Sequence, residues 1–122
     1  MGGHSLSVAD VDDDGRDEIV YQAMVVDDNG KGLYSTGLRH GDSMHVTDMY
    51  PERPGMEVFK VKENEGETVR FKTPGAAMRD AGTGELLWSH SPGVDVRAGL
   101  AADIDPRHSG YEAWGGPGGL RN

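Results

Sequence analysis

Three segments of the chain share one pattern, and this internal repeat constrains the fold more than any other feature. Each segment has an apolar strand that ends in aspartate, then a turn, then a glutamate that begins a second apolar strand. The aspartate and glutamate pairs are Asp10 with Glu18, Asp48 with Glu57, and Asp103 with Glu112. The copies recur after 38 and then 55 residues. The length of a β-propeller blade lies between these two intervals.

Two turn signals between the repeats complete the strand pattern. Asn29-Gly30 is a preferred pair for a tight hairpin, so Val25 and Val26 should return through residues 33–35. Residues 81–84 give a second hairpin signal, and no segment shows a sustained helical period. The sequence therefore predicts an all-β fold, a partial β-propeller of about two and a half blades with four short antiparallel strands in each complete blade. The blades should start near residues 4, 40 and 96 of one unit spanning residues 1–122.

Two segments stand outside this strand pattern. The longer interval between copies carries a polar insertion, residues 62–74. The glycine-rich end, residues 115–122, contains no predicted strand. We therefore expect the chain to be a piece of something longer.

The first turn carries the strongest functional signal, a run of carboxylates at alternate positions. Its candidate calcium ligands are the side chains of Asp10, Asp12, Asp14 and Glu18 and the backbone carbonyl of Arg16. Gly15 permits the sharp turn that such a loop needs. The twelfth loop position, which is glutamate in an EF-hand, is Tyr21, and the residues around it are rich in β-branched side chains. The loop is therefore expected between strands. A solvated acidic turn is the alternative, but crowded carboxylates repel one another without a cation.

The other two turns lack the full set of carboxylates. The second has a single aspartate, Asp48, where the first has three, which argues against a strong ion site there. The third keeps Asp103, Asp105 and Glu112, which could hold an ion, although ordering of the turn by side chain to backbone hydrogen bonds is favoured.

Charge and composition exclude several classes of function. The 122 residues carry a formal net charge of -9, which argues against nucleic acid and anionic membranes as partners. The chain has no cysteine, so it can form neither disulfides nor zinc thiolate sites, and no apolar run is long enough to cross a membrane. Calcium loops of modest affinity favour an extracellular location.

Four segments together resemble the catalytic domain of bacterial rhamnogalacturonan endolyases, polysaccharide lyase family 11. They are HSLSVADVD (4–12), DNGKGLYSTG (28–37), HGD (40–42) and AADIDPR (101–107). The resemblance implies a fragment of an eight-bladed propeller from a secreted bacterial enzyme. Such an enzyme cleaves the rhamnose and galacturonic acid backbone of pectin by β-elimination and depends on calcium. The partner would be an anionic pectic polysaccharide, rhamnogalacturonan I.

The same resemblance assigns site residues. It implies a calcium ion at the catalytic centre held by His4, His40, Asp42 and Glu63, and Arg97 as a contact to the substrate, with a solvated arginine as the alternative for Arg97. Asp13 and Gln22 stand where the family has glycine. No residue is assigned as the base that removes a proton from the galacturonate unit during β-elimination. The chain alone is therefore expected to be inactive.

Two other functions remain open at this point. The first is a non-catalytic, calcium-stabilised β-propeller module of the adhesion or scaffold type. The second is self-association of copies through open blade edges. His45, Trp88 and Trp114 are assigned to packing, with stacking on a sugar as the alternative for a tryptophan.

Overall fold

The computed structural model describes residues 5–36, 43–61, 75–90, 99–115 and 119–121. The strands in these ranges are β1 (Leu6–Ala9), β2 (Glu18–Tyr21), β3 (Met24–Val26), β4 (Gly32–Ser35), β5 (Met44–Thr47), β6 (Glu57–Val61), β7 (Ala76–Asp80), β8 (Leu86–His90), β9 (Gly99–Ala102), β10 (Glu112–Gly115) and β11 (Gly119–Arg121). Within these ranges there is no helix with the length and apolar character to cross a membrane.

The strands form three antiparallel sheets in which chain order is also spatial order. The first sheet contains β1 to β4, the second β5 to β8, and the third β9 to β11. This arrangement confirms the predicted all-β fold with antiparallel four-stranded sheets. Both predicted hairpins are confirmed as well, because Val25 pairs with Tyr34 and Met78 pairs with Trp88.

The prediction was wrong at the glycine-rich end of the chain. Gly119–Arg121 forms β11, and its residue Leu120 lies opposite Trp114 of β10. A β-ladder is built from backbone amide groups, so the free edge of β10 can pair with a segment that has no apolar alternation. Side-chain pattern alone therefore missed this strand.

The second sheet lies between the other two, and its central strands β6 and β7 are buried on both faces. All five residues of β6 are buried. Because side chains alternate along a strand, Val58 joins the cluster shared with the first sheet, whereas Phe59 joins the cluster shared with the third. The cluster towards the first sheet contains Val11, Val20, Val25, Val58 and Ala81. The cluster towards the third sheet contains Met49, Phe59, Val61, Ala76, Met78, Ala101 and Ala113.

A buried arginine also links the first two sheets. Arg79 of β7 donates a hydrogen bond from Nη2 to the backbone carbonyl of Gln22 at 3.0 Å. Its guanidinium lies 5.7 Å from the ring centroid of Tyr34, which in turn donates to the carbonyl of Ala81 at 2.7 Å. These polar contacts fix how the two sheets sit on each other, which apolar packing alone does loosely.

The outer face of the first sheet is apolar and exposed in the part of the chain that the structure describes. The strand register places Val8 opposite Ile19, and Leu6, Met24 and Leu33 share their face. Leu6 and Val8 are 59% and 58% exposed, and the other three are also exposed.

We expect Gly82→Ala to lower the free energy of unfolding by about 1–2 kcal/mol, because it overpacks the contact between the first two sheets. A Cβ atom at Gly82 would lie 2.7 Å from the carbonyl oxygen of Val11. Gly32→Ala is the matched control, since no atom lies within 4 Å of its Cβ position. Urea unfolding of both variants measures the difference, and equal midpoints would contradict the close approach.

Candidate metal centre

The loop between β1 and β2 is coiled by hydrogen bonds from its own backbone to its aspartates. Asp10 accepts from the amides of Asp14 at 3.1 Å and Gly15 at 2.9 Å. Asp12 accepts from the Asp14 amide at 3.2 Å, and Asp14 accepts from the Arg16 amide at 2.8 Å. These bonds turn the three carboxylates towards a common centre. The predicted position of the loop between two strands is confirmed.

The tight course of the loop requires left-handed backbone at two positions. Gly15 has φ 85°, and no neighbouring atom lies within 4 Å of the position that a Cβ atom would take there. Asp13 has φ 62°, and Gln22, just after β2, has φ 56°. Asp13 and Gln22 are the non-glycine residues with positive φ in the described ranges. Aspartate tolerates this conformation better than glutamine does.

Four acidic side chains meet in this loop. One carboxylate oxygen each from Asp10, Asp12, Asp14 and Glu18 lies within 4.8 Å of the other three. Glu18 differs from the aspartates because it is fully buried. Its Oε2 accepts hydrogen bonds from the amides of Val11 at 2.7 Å and Asp12 at 3.4 Å.

The same glutamate recurs in all three repeats and performs the same local task. Oε2 of Glu57 accepts from the amides of Met49 at 2.8 Å and Tyr50 at 3.3 Å. Oε2 of Glu112 accepts from Ile104 and Asp105, each at 3.0 Å. A buried carboxylate therefore holds each turn, and we call these three residues (Glu18, Glu57 and Glu112) the latch glutamates.

The second oxygen of each latch glutamate is buried and accepts no hydrogen bond from the described part of the chain. Near Oε1 of Glu57 lies the guanidinium of Arg53, with Nε at 3.8 Å. Glu18 instead has three aspartates as neighbours. Four carboxylates that converge at this distance, one of them buried, fit a hard divalent cation such as calcium, which takes oxygen ligands in a flexible shell.

Two further carboxylates reach this centre that the sequence analysis missed. Asp27 and Asp28, at the end of β3, form a second group with Asp14 and Glu18 in which the ligand oxygens lie within 4.8 Å. The register of β2 and β3 is the reason. Ile19 pairs with Val26 in an antiparallel ladder, so Glu18, before Ile19, lies opposite Asp27, after Val26.

Arg16 belongs to the loop, and its guanidinium also places a positive charge beside the acidic centre. Its Nη1 lies 3.0 Å from Oδ2 of Asp28 and closes the loop against the β3–β4 turn. This side chain is largely exposed, so the ion pair adds little stability by itself. A ligand role for the carbonyl of Arg16 stays a prediction.

Proton affinities in the centre reflect burial and mutual repulsion. Burial raises the pKa of the Glu18 carboxyl. Desolvation, followed by the negative charge of Asp14, raises the pKa of Asp12. The hydrogen bond from Arg16, in contrast, lowers the pKa of Asp28. A bound cation favours the ionised carboxylates, so protons compete with it and its affinity should fall as the pH is lowered.

The third turn is ordered by hydrogen bonds, as the sequence favoured. Asp105 accepts from the amide of Arg107 at 3.0 Å and pairs with its guanidinium at 2.8 Å. Among the described residues, no group of potential metal ligands includes Asp48, Asp103 or Asp105.

The predicted ligands of the catalytic-centre ion lie outside the described residues. These are His4, His40, Asp42 and Glu63, and the proposed substrate contact Arg97 lies outside them as well. Their roles stay predictions.

Comparison with known proteins gives a consistent result. The family model described as rhamnogalacturonan lyase family 11, C-terminal domain, matches residues 1–122. Rhamnogalacturonan exolyase YesX of Bacillus subtilis (strain 168) is 58% identical over 115 residues, which are 94% of this chain. Rhamnogalacturonan endolyase YesW of the same organism is 53% identical over 114 residues, or 93% of this chain.

The fold comparison agrees. The crystal structure of rhamnogalacturonan lyase YesW superposes on 98% of this chain with a TM-score of 0.87 and 52% identity. This chain covers 20% of that structure and spans 18% of the length of each of the two curated relatives.

Proposed function

Because this chain belongs to rhamnogalacturonan lyase family 11, we propose that it is part of a calcium-dependent lyase that cleaves the rhamnose and galacturonic acid backbone of pectin by β-elimination. The observation that carries this proposal is the sequence identity of the chain, 58% and 53%, to a rhamnogalacturonan exolyase and a rhamnogalacturonan endolyase. The proposed partner is an anionic pectic polysaccharide, and the proposed location is extracellular.

The three sheets are proposed to be successive blades of a larger β-propeller of eight blades. Support comes from the stacking, since each sheet packs its face on the next and β5 lies beside both β1 and β9. The exposed apolar face of the first sheet, which includes Leu6 and Val8, would carry a further blade. The blade boundaries near residues 4, 40 and 96 remain part of this proposal.

The proposed chemistry explains why an acidic protein needs a metal. β-Elimination removes the proton at C5 of a galacturonate unit, and that proton is acidic only if the neighbouring carboxylate is neutralised. A bound calcium ion would supply this neutralisation as a Lewis acid and would offset the repulsion between two anions.

His4, His40, Asp42 and Glu63 are the proposed ligands of that ion, and Arg97 is the proposed contact to the polymer. The proton-abstracting base is proposed to lie on a part of the enzyme beyond this segment, because no residue here has a claim to that role. The loop from Asp10 to Glu18 would hold a separate ion that stiffens the first sheet, and the convergence of its four carboxylates supports this.

A calcium-stabilised module without catalytic activity is the second candidate. The acidic loop favours it, because its four converging carboxylates would hold one ion without any active site. The two functions differ in the number of ions. Under the lyase proposal, His40→Ala should remove one calcium ion and leave the loop ion in place, as counted by atomic emission after dialysis. An unchanged count would favour the module.

The activity is tested by a chimera of YesX in which this chain replaces the matching segment. We expect the chimera to cleave rhamnogalacturonan, followed by the absorbance of the unsaturated product, whereas the isolated chain should show little or no turnover. Asp42→Asn should lower the rate of the chimera by about 100-fold or more, because the ion that stabilises developing charge is lost.

Asp17→Asn is the matched control for this experiment. It makes the same change at an exposed aspartate outside both acidic groups. A folded chimera that retains full activity with Asp42→Asn would overturn the proposed ligand set. A folded, calcium-loaded chimera without activity would overturn the lyase proposal itself.

A further inference from the structure

A cavity of about 570 Å³ lies between the second and third sheets, away from the acidic loop. Its floor is formed by Leu87 and Trp88 of β8, and its walls by the turn at Tyr50 and the turn at His108 and Ser109. β8 is the strand furthest from β5 in the second sheet. The cavity therefore sits at the opposite sheet edge from β5.

Two aromatic rings in this cavity are held in fixed positions. Trp88 donates a hydrogen bond from Nε1 to the hydroxyl oxygen of Tyr50 at 2.7 Å. The indole ring also packs on Phe59, with ring centroids 6.0 Å apart at an angle of 42°. Trp88 and Tyr50 are half-buried, so part of each ring remains open to the cavity. Rigid aromatic surface beside polar groups is typical of a small-molecule site.

The charges around the cavity disfavour an anionic ligand. Arg53 lies between two carboxylates, with Nη2 at 3.2 Å from Oδ2 of Asp80 and Nε at 3.8 Å from Oε1 of Glu57. The imidazole of His108 lies 4.0 Å from Oδ2 of Asp105. Glu52 adds an exposed carboxylate to the wall. Among the described residues that line the cavity, each cation therefore has an acidic partner.

We propose that this cavity binds a neutral pyranose ring. The apolar face of the sugar would stack on Trp88 and Tyr50, and its hydroxyl groups would meet Glu52, His108 and Ser109. The cavity volume accommodates a sugar ring with its neighbouring linkages. If the parent enzyme acts on rhamnogalacturonan, the neutral deoxy sugar of that polymer is the natural occupant, with its methyl group against Leu87. This last step rests on the proposed function.

The site would then hold one sugar unit of a longer polymer. Binding at a second site raises the local concentration of a long substrate without contributing to the chemical step. The binding itself is measured without any turnover, so its failure and the failure of the lyase proposal are separate results.

Tryptophan fluorescence tests the proposal directly, because the chain has two tryptophans. In a Trp114→Phe background, Trp88 is the sole reporter. We expect methyl α-rhamnopyranoside to change its emission in a saturable way. Methyl galacturonide should bind at least about threefold more weakly, because Arg53 and His108, the cations among the described residues of the cavity, already face carboxylates. His108→Ala and Ser109→Ala should each weaken rhamnoside binding by roughly two- to tenfold through the loss of one hydrogen bond.

Ser7→Ala on the first sheet is the control and should leave the binding unchanged. Circular dichroism establishes that each variant is folded, and chemical-shift changes at the amides of residues 108 and 109 give a second readout that needs no tryptophan substitution. No saturable response by either method would overturn the proposal. Equal binding of the galacturonide would overturn the preference for a neutral sugar.

Discussion

Glu57→Ala should lower the free energy of unfolding by about 3 kcal/mol. The latch glutamate is fully buried and accepts hydrogen bonds from the amides of Met49 and Tyr50. Truncation removes the acceptor of both amides. The buried amide of Met49 then loses about 1–3 kcal/mol, whereas the amide of half-buried Tyr50 loses less because water reaches it. It also removes a carboxylate beside Arg53. Because burial raises the pKa of Glu57, removing the buried charge itself recovers part of that loss.

Glu52→Ala is the matched control for this experiment, because Glu52 is an exposed glutamate in the same turn. Its replacement should change the stability by less than about 0.5 kcal/mol. Urea unfolding monitored by circular dichroism measures both variants. Glu112→Ala should resemble Glu57→Ala, since Glu112 makes the equivalent pair of bonds. If Glu57→Ala unfolds at the same urea concentration as Glu52→Ala, the latch has no energetic role.

Asp14→Asn should weaken calcium binding at the loop by about tenfold or more. Asp14 belongs to both acidic groups, and its Oδ1 accepts a hydrogen bond from the Arg16 amide. Asparagine keeps that acceptor oxygen, removes the charge and replaces the second carboxylate oxygen with an NH₂ group that cannot bind a cation. Calcium affinity depends strongly on the number of charged ligands. At a calcium concentration of 100 Kd the ion adds about 2.7 kcal/mol of stability, and a tenfold weaker site keeps about half of that.

Calorimetric titration gives the affinity, and thermal unfolding in calcium or in a chelator gives the stabilisation. Asp17→Asn makes the same change of charge three residues away and outside both groups, so it should leave the affinity nearly unchanged. A similar loss in the two variants would mean that the loop attracts calcium only through its general charge. In that case no defined site exists.

The parts of the fold that were predictable from sequence are those encoded by local chemistry. The Asn29-Gly30 pair specifies its own hairpin, and the spacing from Asp10 to Glu18 specifies a loop between strands. The recurrence of the glutamates indicated three equivalent units. It did not reveal that each glutamate holds its turn, because a buried carboxylate is unexpected without knowledge of the amides around it.

The features that were missed depend on contacts between distant segments. Asp27 and Asp28 join the metal centre only through the pairing of β2 with β3. β11 forms because β10 offers a free edge, and nothing in residues 119–121 signals a strand. The cavity at Trp88 needs two sheets to be stacked before it exists. Such features follow from register and packing, which a single sequence specifies only weakly.

Any association through the exposed apolar face of the first sheet should depend on temperature. Leu6, Val8, Ile19, Met24 and Leu33 face water there. The hydration of apolar surface changes the heat capacity, so attraction between such faces strengthens on warming and weakens on cooling. Cold solutions should therefore keep separate copies apart. In a longer protein, a sheet that covers this face would be held more firmly as the temperature rises towards that of unfolding.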